Sequence, residues 1–553
     1  MPLTFRPPAE ASIGARHHAD AAMGNVDVTS QAIAALRDAL AGDEPFERIL
    51  LKAAAGAGKS YALRRMVVDA LDHPACQRIG VTALANKQVI PLAVSLGREL
   101  GPEVVCLAVA ADRLPGLPSD INEYVTVATH YSEVPESARV VLGTTHKLEG
   151  SSRWLFKSLG AAHNGEKLFD VLFVDEAWQL PLHRYRRIEG MAPITVGVGD
   201  VGQLPPLDPS QNPWRGDLTY NPYRAWPTAY EADNLTWSRE LPAVWRPHPA
   251  QLSLWREFYD GWASLDCVAA PGDRAWAVQT PLAGAAGAVW QQVASGEPTL
   301  VQVEGLPEAE APDVDLPLLG VLEELLDQLL SAGVDLTASR YDGYGQPEGE
   351  VSFTLADPGN DPLIAVLATR NQTTDDAQEM VERLTKRHGL GPGVLVASTV
   401  DSWQGQTNAL TVAIHPLSGA SALDDFNSAF GRLAVTCTRA THGLLILARA
   451  GLDEVLSSAP ARPGTPLGEP GTRRLPRQTH ARILSTFAHG EVDAHELAQA
   501  GVGEIGNAST DGEAPGVDLV SAPAVGPTVV LDLAPGKVGA EIRQRGASAE
   551  RAR

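Results

Sequence analysis

Short apolar runs recur through the first 450 residues, separated by stretches with helical spacing. One set comprises Ile49-Leu50-Leu51, Arg78–Leu84, Arg139–Gly143, Val171–Val174 and Ile194–Val198. A second comprises Leu363–Ala368, Val394–Ala397, Leu410–Ile414 and Leu444–Leu447. Continuous Val/Ile/Leu runs suit parallel strands buried on both faces, with helices crossing over between them. Two such sets predict two α/β domains in tandem. Between them, residues 205–360 are less regular. Pro205 to Tyr230 is dense in Pro, Trp, Tyr and Arg, Leu318–Leu330 has the spacing of an amphipathic helix, and Tyr341–Glu350 reads as a polar, Gly-rich loop. Beyond residue 451, Ala459–Gly471 reads as a Pro/Gly linker and Thr479–Ala500 as a helical patch. The remaining tail, rich in Ala, Gly and Pro, reads as weakly ordered.

Composition narrows the class. The 553 residues are 44% hydrophobic and 20% charged, as in an ordinary globular protein of two or three domains. Cys76, Cys106, Cys267 and Cys437 lie far apart with no C-x-x-C pair, which points away from a disulfide framework or a zinc module and towards a reducing compartment. The first thirty residues lack the apolar core of a signal peptide and no run approaches membrane-spanning length. The expectation is a cytoplasmic protein without membrane contact. A net charge of −23 excludes a generally basic surface, so any nucleic-acid contact must come from a local groove.

Candidate chemistry begins where the first apolar run ends. Ala53-Ala54-Ala55-Gly56-Ala57-Gly58-Lys59-Ser60 has the layout of a phosphate-binding loop between a buried strand and a helix. Backbone N–H groups of Gly56, Ala57 and Gly58 would hold phosphates, Lys59 would reach the outer ones, and the Ser60 hydroxyl would meet Mg²⁺. Ala53 stands where G-x-x-x-x-G-K-S/T has its first glycine. Asp175 and Glu176 follow the apolar run Val171–Val174, at the strand end that faces the ligand crevice of a parallel sheet. Adjacent acids there can divide the work, Asp175 holding Mg²⁺ and Glu176 polarising the attacking water. Gln203, after the next strand, is suited to contact the γ-phosphate.

D-E-A-x-Q (Asp175 to Gln179) followed by G-D-x-x-Q-L-P-P (Gly199 to Pro206) resembles superfamily 1 helicases, and more narrowly their up-frameshift branch, of nonsense-mediated-decay kind. Leu241 to Pro249, with Phe258-Tyr259-Asp260-Gly261, is similar to the family's L-x-x-x-Y-R-x-H-P and F-Y-x-G, with Trp245 replacing the usual Tyr. Ile364 to Gln372 resembles the strand and turn that open a second RecA-like domain. Thr399 to Thr407 is close to T-V-D-S-F-Q-G-x-E, without its closing acid, and Arg432 to Ala440 is close to R-L-N-V-A-L-T-R-A. The likeness covers roughly residues 25–450.

The resemblance implies two RecA-like P-loop NTPase domains, spanning 28–240 and 241–450, with a 1–27 extension and a 451–553 linker and tail. It implies ATP and Mg²⁺, with Gln31 reading the adenine and Gln404 and Gly405 adding to the ATP site. Arg246 and Arg439 would neutralise charge on the transferring phosphoryl group across the domain cleft. A single strand of nucleic acid would cross both domains past Thr82, Asn86, Thr144, Thr145, Thr399 and Ser402, contacts that position a backbone without reading sequence. The strand is DNA or RNA, with a lean to DNA, and movement 5′→3′. Two other readings stay open: an ATPase that remodels protein–nucleic-acid complexes without unwinding, and an ATP-switched regulatory module whose tail recruits a protein partner. The aromatics from Trp214 to Trp226 either stack unpaired bases or pack on the first domain.

Overall fold

The computed structural model describes residues 3–9, 14–206, 209, 212–214, 217, 220–311, 313–424, 427, 430–459 and 476–498. The expected tail beyond 498 and most of the linker therefore lie outside the described residues. Eight strands form a wholly parallel first sheet in the order Thr126–Ala128, Val105–Ala108, Val140–Thr144, Ile79–Ala83, Val171–Asp175, Ile194–Asp200, Arg48–Ala53, Thr236–Glu240. Six form a second parallel sheet: Leu395–Thr399, Ile364–Ala368, Asn408–Ile414, Ala440–Arg449, Thr299–Glu304, Ala488–Asp493. These are two RecA-like α/β domains within one compact unit.

The strands read as apolar runs because both faces are covered. Ile49 and Leu51 face Leu63, Met66 and Val67 of the helix Lys59–Asp72, while Leu50 faces the opposite layer with Leu172, Val174, Tyr185 and Trp226. Trp226 is buried and stacks on Tyr185 at 3.9 Å between centroids, whereas Trp214 and Tyr220 are exposed and meet edge-on. The aromatic stretch thus divides between packing at its end and exposure at its start. Register matters most at the carboxyl edge. Ala53 lies beside Asp200, and Asp175 beside Val198. Three adjacent strands therefore deliver the glycine-rich loop, the two acids and Asp200 to one place.

Three features depart from the expected layout. Tyr341–Glu350 is the turn and outgoing arm of a hairpin, Val334–Tyr341 with Pro347–Thr354, which pairs with Arg274–Val278 in a three-stranded antiparallel sheet. Within the expected helical patch, a helix Pro476–Ser485 gives way to the strand Ala488–Asp493, which adds to the second sheet well past residue 450. At the other end, the helix His18–Ala41 runs across the expected boundary at 27/28. All four cysteines are free and buried. Among the described residues, no helix is long and apolar enough to cross a membrane.

Candidate active site

The strand Arg48–Ala53 ends on a loop whose shape depends on glycine. Gly56 and Gly58 hold φ of 63° and 90°, in the left-handed region that side chains disfavour. A Cβ on Gly56 would also stand 2.5 Å from the Arg246 Cβ, so the loop fits only with glycine there. Ala53, by contrast, is still in the strand and has no left-handed backbone, so the missing first glycine leaves the loop intact. Gly58 caps the helix Lys59–Asp72, aiming its N-terminal N–H groups and positive dipole end into the crevice. The Trp245 N–H donates to the Gly56 carbonyl at 2.8 Å, which fastens the segment Leu241–Pro249 behind the loop.

Lys59 pairs directly with Glu176. Burial pulls the Lys59 ammonium down, but Glu176, Asp175 and Asp200 outweigh it and hold it above its ordinary value. Burial raises both Asp175 and Asp200 to about 6, with Lys59 opposing and the Glu176 charge adding to the rise. Glu176 sits in a left-handed backbone (φ 53°, ψ 43°), a strain of about 1–3 kcal/mol for a residue with a side chain. Its Oε2 is buried and has no hydrogen-bond partner among the described residues. The carboxylate is thus held at the loop with one oxygen uncommitted.

Two contributors were not assigned from sequence. Tyr259 is buried, accepts the loop N–H of Ala55 at 2.9 Å and donates to Asp200 at 3.0 Å. It thereby ties the loop to the adjacent strand Ile194–Asp200. Gly202 makes this possible, since a Cβ there would lie 2.6 Å from the Tyr259 ring. Tyr259 and Asp200 both fall inside motif blocks, yet their contact spans 59 positions and no local pattern announces it.

Residues of the second half close the crevice. Gln203 Nε2 donates to Thr438 Oγ1 at 3.2 Å, and Gln404 Nε2 donates to Gln203 Oε1 at 3.4 Å. Arg246 Nη1 donates to the Thr438 carbonyl at 3.0 Å. Arg439 is wholly buried, its guanidinium donating to the Val435 and Gln406 carbonyls and to Thr438 Oγ1 at 2.9–3.1 Å. Burial, then the nearby Arg246, lower it to about 9. One cavity of about 450 Å³ gathers Gly56, Gly58, Lys59, Ser60, Asp175, Glu176, Asp200, Gln203, Arg246, Gln404, Gly405 and Arg439.

Other expected residues stand elsewhere. Ala57 lines an adjoining hollow instead. Gln31 is exposed on the helix His18–Ala41 and lines neither space. Of the six expected strand-contacting residues, Thr82 is 1% exposed within its strand, and Thr145 is buried with its hydroxyl on the Ala83 carbonyl. Thr144 and Thr399 cap the helices that follow them. Asn86 opens the helix Asn86–Leu100, and Ser402 is exposed. All six sit at carboxyl ends of strands or just beyond, but the two buried hydroxyls face protein. Lys87, unassigned from sequence, reaches the Ser402 carbonyl at 3.5 Å across the seam.

No protein-family model matches the chain, and no curated protein matches it. Solved structures do. A PRRSV helicase aligns at 12% identity with a TM-score of 0.35, over 77% of this chain and 58% of that one. An arterivirus nonstructural protein 10 (helicase) aligns at 14% and 0.36, over 76% and 63%. The Pyrococcus furiosus Hef helicase domain aligns at 12% and 0.33, over 77% and 96%. The chain thus spans less than two thirds of the length of the first two.

Proposed function

We propose that the chain is an ATP-driven motor on single-stranded nucleic acid, a superfamily 1 helicase or translocase of the up-frameshift type, with DNA the preferred strand and 5′→3′ the direction. One observation carries the reading. A single crevice gathers a glycine-rich loop with its lysine, two strand-end acids and Gln203 from one sheet, and the buried Arg439 and half-buried Arg246 from beyond it. Hydrolysis of a phosphoanhydride needs that set: backbone donors and a cation for the phosphates, a base for water, and positive charge for the transferring group.

Ser60 and Asp175 offer an oxygen-only donor set in the same crevice, which fits Mg²⁺. Mg²⁺ bound there would neutralise charge on the phosphate oxygens. Lys59 would exchange its contact with Glu176 for the outer phosphates. Glu176, with Oε2 already uncommitted, would orient a water towards the γ-phosphorus and take its proton as the bond to the β-phosphate oxygen breaks. Gln203 touches Thr438 and Gln404, so loss of the γ-phosphate is felt directly by the second domain. That coupling supports strand movement driven by opening and closing.

The test is ATP hydrolysis with and without single-stranded DNA or RNA, followed by displacement of a strand from 5′- and 3′-tailed duplexes. Stimulation that fades with salt is expected, because backbone contacts release counterions. Glu176→Gln should bind ATP and fail to hydrolyse it. Turnover unaffected by either polymer at low salt would leave the regulatory-module reading instead. Stimulation without displacement would leave the remodelling ATPase.

A further inference from the structure

The row of strand ends in the first sheet does not stop at Thr144. Two strands further out, the edge strand Thr126–Ala128 runs parallel to its neighbours, so its carboxyl end lies on the same rim, about 10 Å beyond. The turn that follows it is stiff. Glu133 Oε2 accepts the Thr129 and His130 N–H groups at 2.7 and 3.1 Å and the Thr129 hydroxyl at 2.9 Å. Lys147 Nζ donates to the Thr129 carbonyl at 2.6 Å and ties the turn to the helix Thr145–Leu159.

Turn and helix together build a ladder of rings. His130 and Tyr131 lie 4.0 Å apart between centroids, and Tyr131 stacks on Trp154 of the helix at 5.5 Å with 15° between planes. Tyr131 is half-buried and packs on the core that contains Leu148 and Leu155, so it backs the outer ring. Trp154 is 44% exposed. The Arg153 guanidinium and the Lys157 ammonium stand 5.9 and 5.8 Å from its ring centre. The one acid of the helix, Glu149, is paired with Arg187 at 3.0 Å, which leaves those two cations without a counter-charge on their own helix.

An exposed ring with a second ring behind it and cations at its margin suits a flat, anionic partner. Unpaired nucleic-acid bases meet that description, since every base has a π face and each brings a phosphate for the cations. A chain of net charge −23 repels polyanions over most of its surface, so a cationic margin around an exposed tryptophan marks out one place to hold them. An apolar protein partner would instead have to bury both charges unpaired, at a cost in affinity.

Resting on the single-strand reading above, we propose that Trp154 is a stacking platform for an unpaired base of the bound strand, with Tyr131 behind it and Arg153 and Lys157 on the flanking phosphates. The strand then passes Thr144 and turns onto the flank of the first domain. Its grip there is blind to sequence, because stacking accepts any base.

Bases and phosphates can be tested apart. Fluorescence anisotropy would measure binding of a labelled oligothymidylate and of an abasic strand of equal length, with thermal melts as the folding control. Trp154→Ala should weaken the base-bearing strand about 5- to 150-fold, the usual worth of one stacked base, and leave the abasic strand unchanged. Trp154→Phe should retain most of the affinity. Phe156→Ala removes a ring of similar exposure, 42%, from the same helix and should change nothing. Replacing Arg153 and Lys157 together by Gln should weaken both strands and flatten the slope of log affinity against log salt by about 1.4, for two phosphate contacts. A Trp154→Ala protein that binds the base-bearing strand like the parent, or that loses the abasic strand equally, would overturn the platform. So would an equal loss in Phe156→Ala. A parent that binds neither strand at low salt would instead remove the single-strand reading on which the inference rests.

Discussion

Arg439 has two jobs that a single substitution removes together. Its guanidinium lines the crevice that holds Lys59 and Glu176 and also holds the Val435 and Gln406 carbonyls. Arg439→Ala is therefore expected to slow turnover at least about a hundredfold, since an inserted arginine is worth about 10³–10⁵ in rate. It should also lower the melting temperature, because the Gln406 carbonyl and the Thr438 hydroxyl lose a charged donor, and a hydrogen bond to a charged group is worth about 1.5–3 kcal/mol. Normal kcat with a lowered melting point would make Arg439 purely structural. Tyr259→Phe isolates the tie between loop and strand. Losing one hydroxyl takes the acceptor from the Ala55 N–H and one donor from Asp200, which keeps the Gly202 N–H. A destabilisation of about 1–3 kcal/mol and a raised KM for ATP are expected, and unchanged kinetics would deny the tie any positioning role. Lys59, Asp175 and Glu176 were legible because their chemistry is local in sequence. Gln31, Thr82 and Thr145 were placed by motif position alone, which leaves open which way a helix is rotated or whether a hydroxyl faces protein.

Most strands found as apolar runs are covered on both faces, Leu395–Thr399 being half-buried, while the buried strands Val105–Ala108 and Thr299–Glu304 went unread. Ala488–Asp493 escaped because only alternate positions, Ala488, Gly490 and Val492, are buried, and the run looks polar. The hairpin escaped because its outer strand Pro347–Thr354 is largely exposed. The consequence is practical. Sequence alone suggests that cutting near residue 455 spares the core. In the structure such a cut removes an edge strand and the helix carrying Ile483 and Leu484, both buried, along with Phe487. It leaves Thr299–Glu304, an apolar strand, as an open edge of the kind that aggregates. Truncation after Ser458 should therefore yield insoluble or poorly folded protein, whereas truncation after Ala498 should not. A soluble, fully active 1–458 chain would show that the strand is dispensable.

At the scale of the whole molecule, two domains were readable from two sets of strands, while the contacts that seal them were not, since they join positions about two hundred residues apart. Global stability carries its own pH signature. Burial holds His415 and His442 neutral down to about 3 and His248 to about 4, against 6.5 unfolded. A depressed histidine contributes stability that is full above 6.5 and drains away as pH falls below it. At about 1.4 kcal/mol per pH unit, three such groups lose about 6 kcal/mol by pH 5. Asp175 and Asp200, raised to about 6, act in the opposite sense and recover about 3 kcal/mol over the same interval. The metal-free protein should melt at a lower temperature at pH 5 than at pH 7. An equal or higher midpoint at pH 5 would mean that the histidines are not held neutral.

The sulfur atoms open another route into this protein. All four thiols are sealed inside, and burial pushes Cys76, Cys106 and Cys267 to about 12, so almost none is present as the reactive thiolate at neutral pH. The native chain is thus a silent background for maleimide dyes. Cysteines introduced at Lys87 and Ser402, which touch across the seam, could take a donor and an acceptor without first stripping out the natural ones. Energy transfer between that pair would follow the two domains, molecule by molecule, and under the proposed function would change with each round of nucleotide turnover.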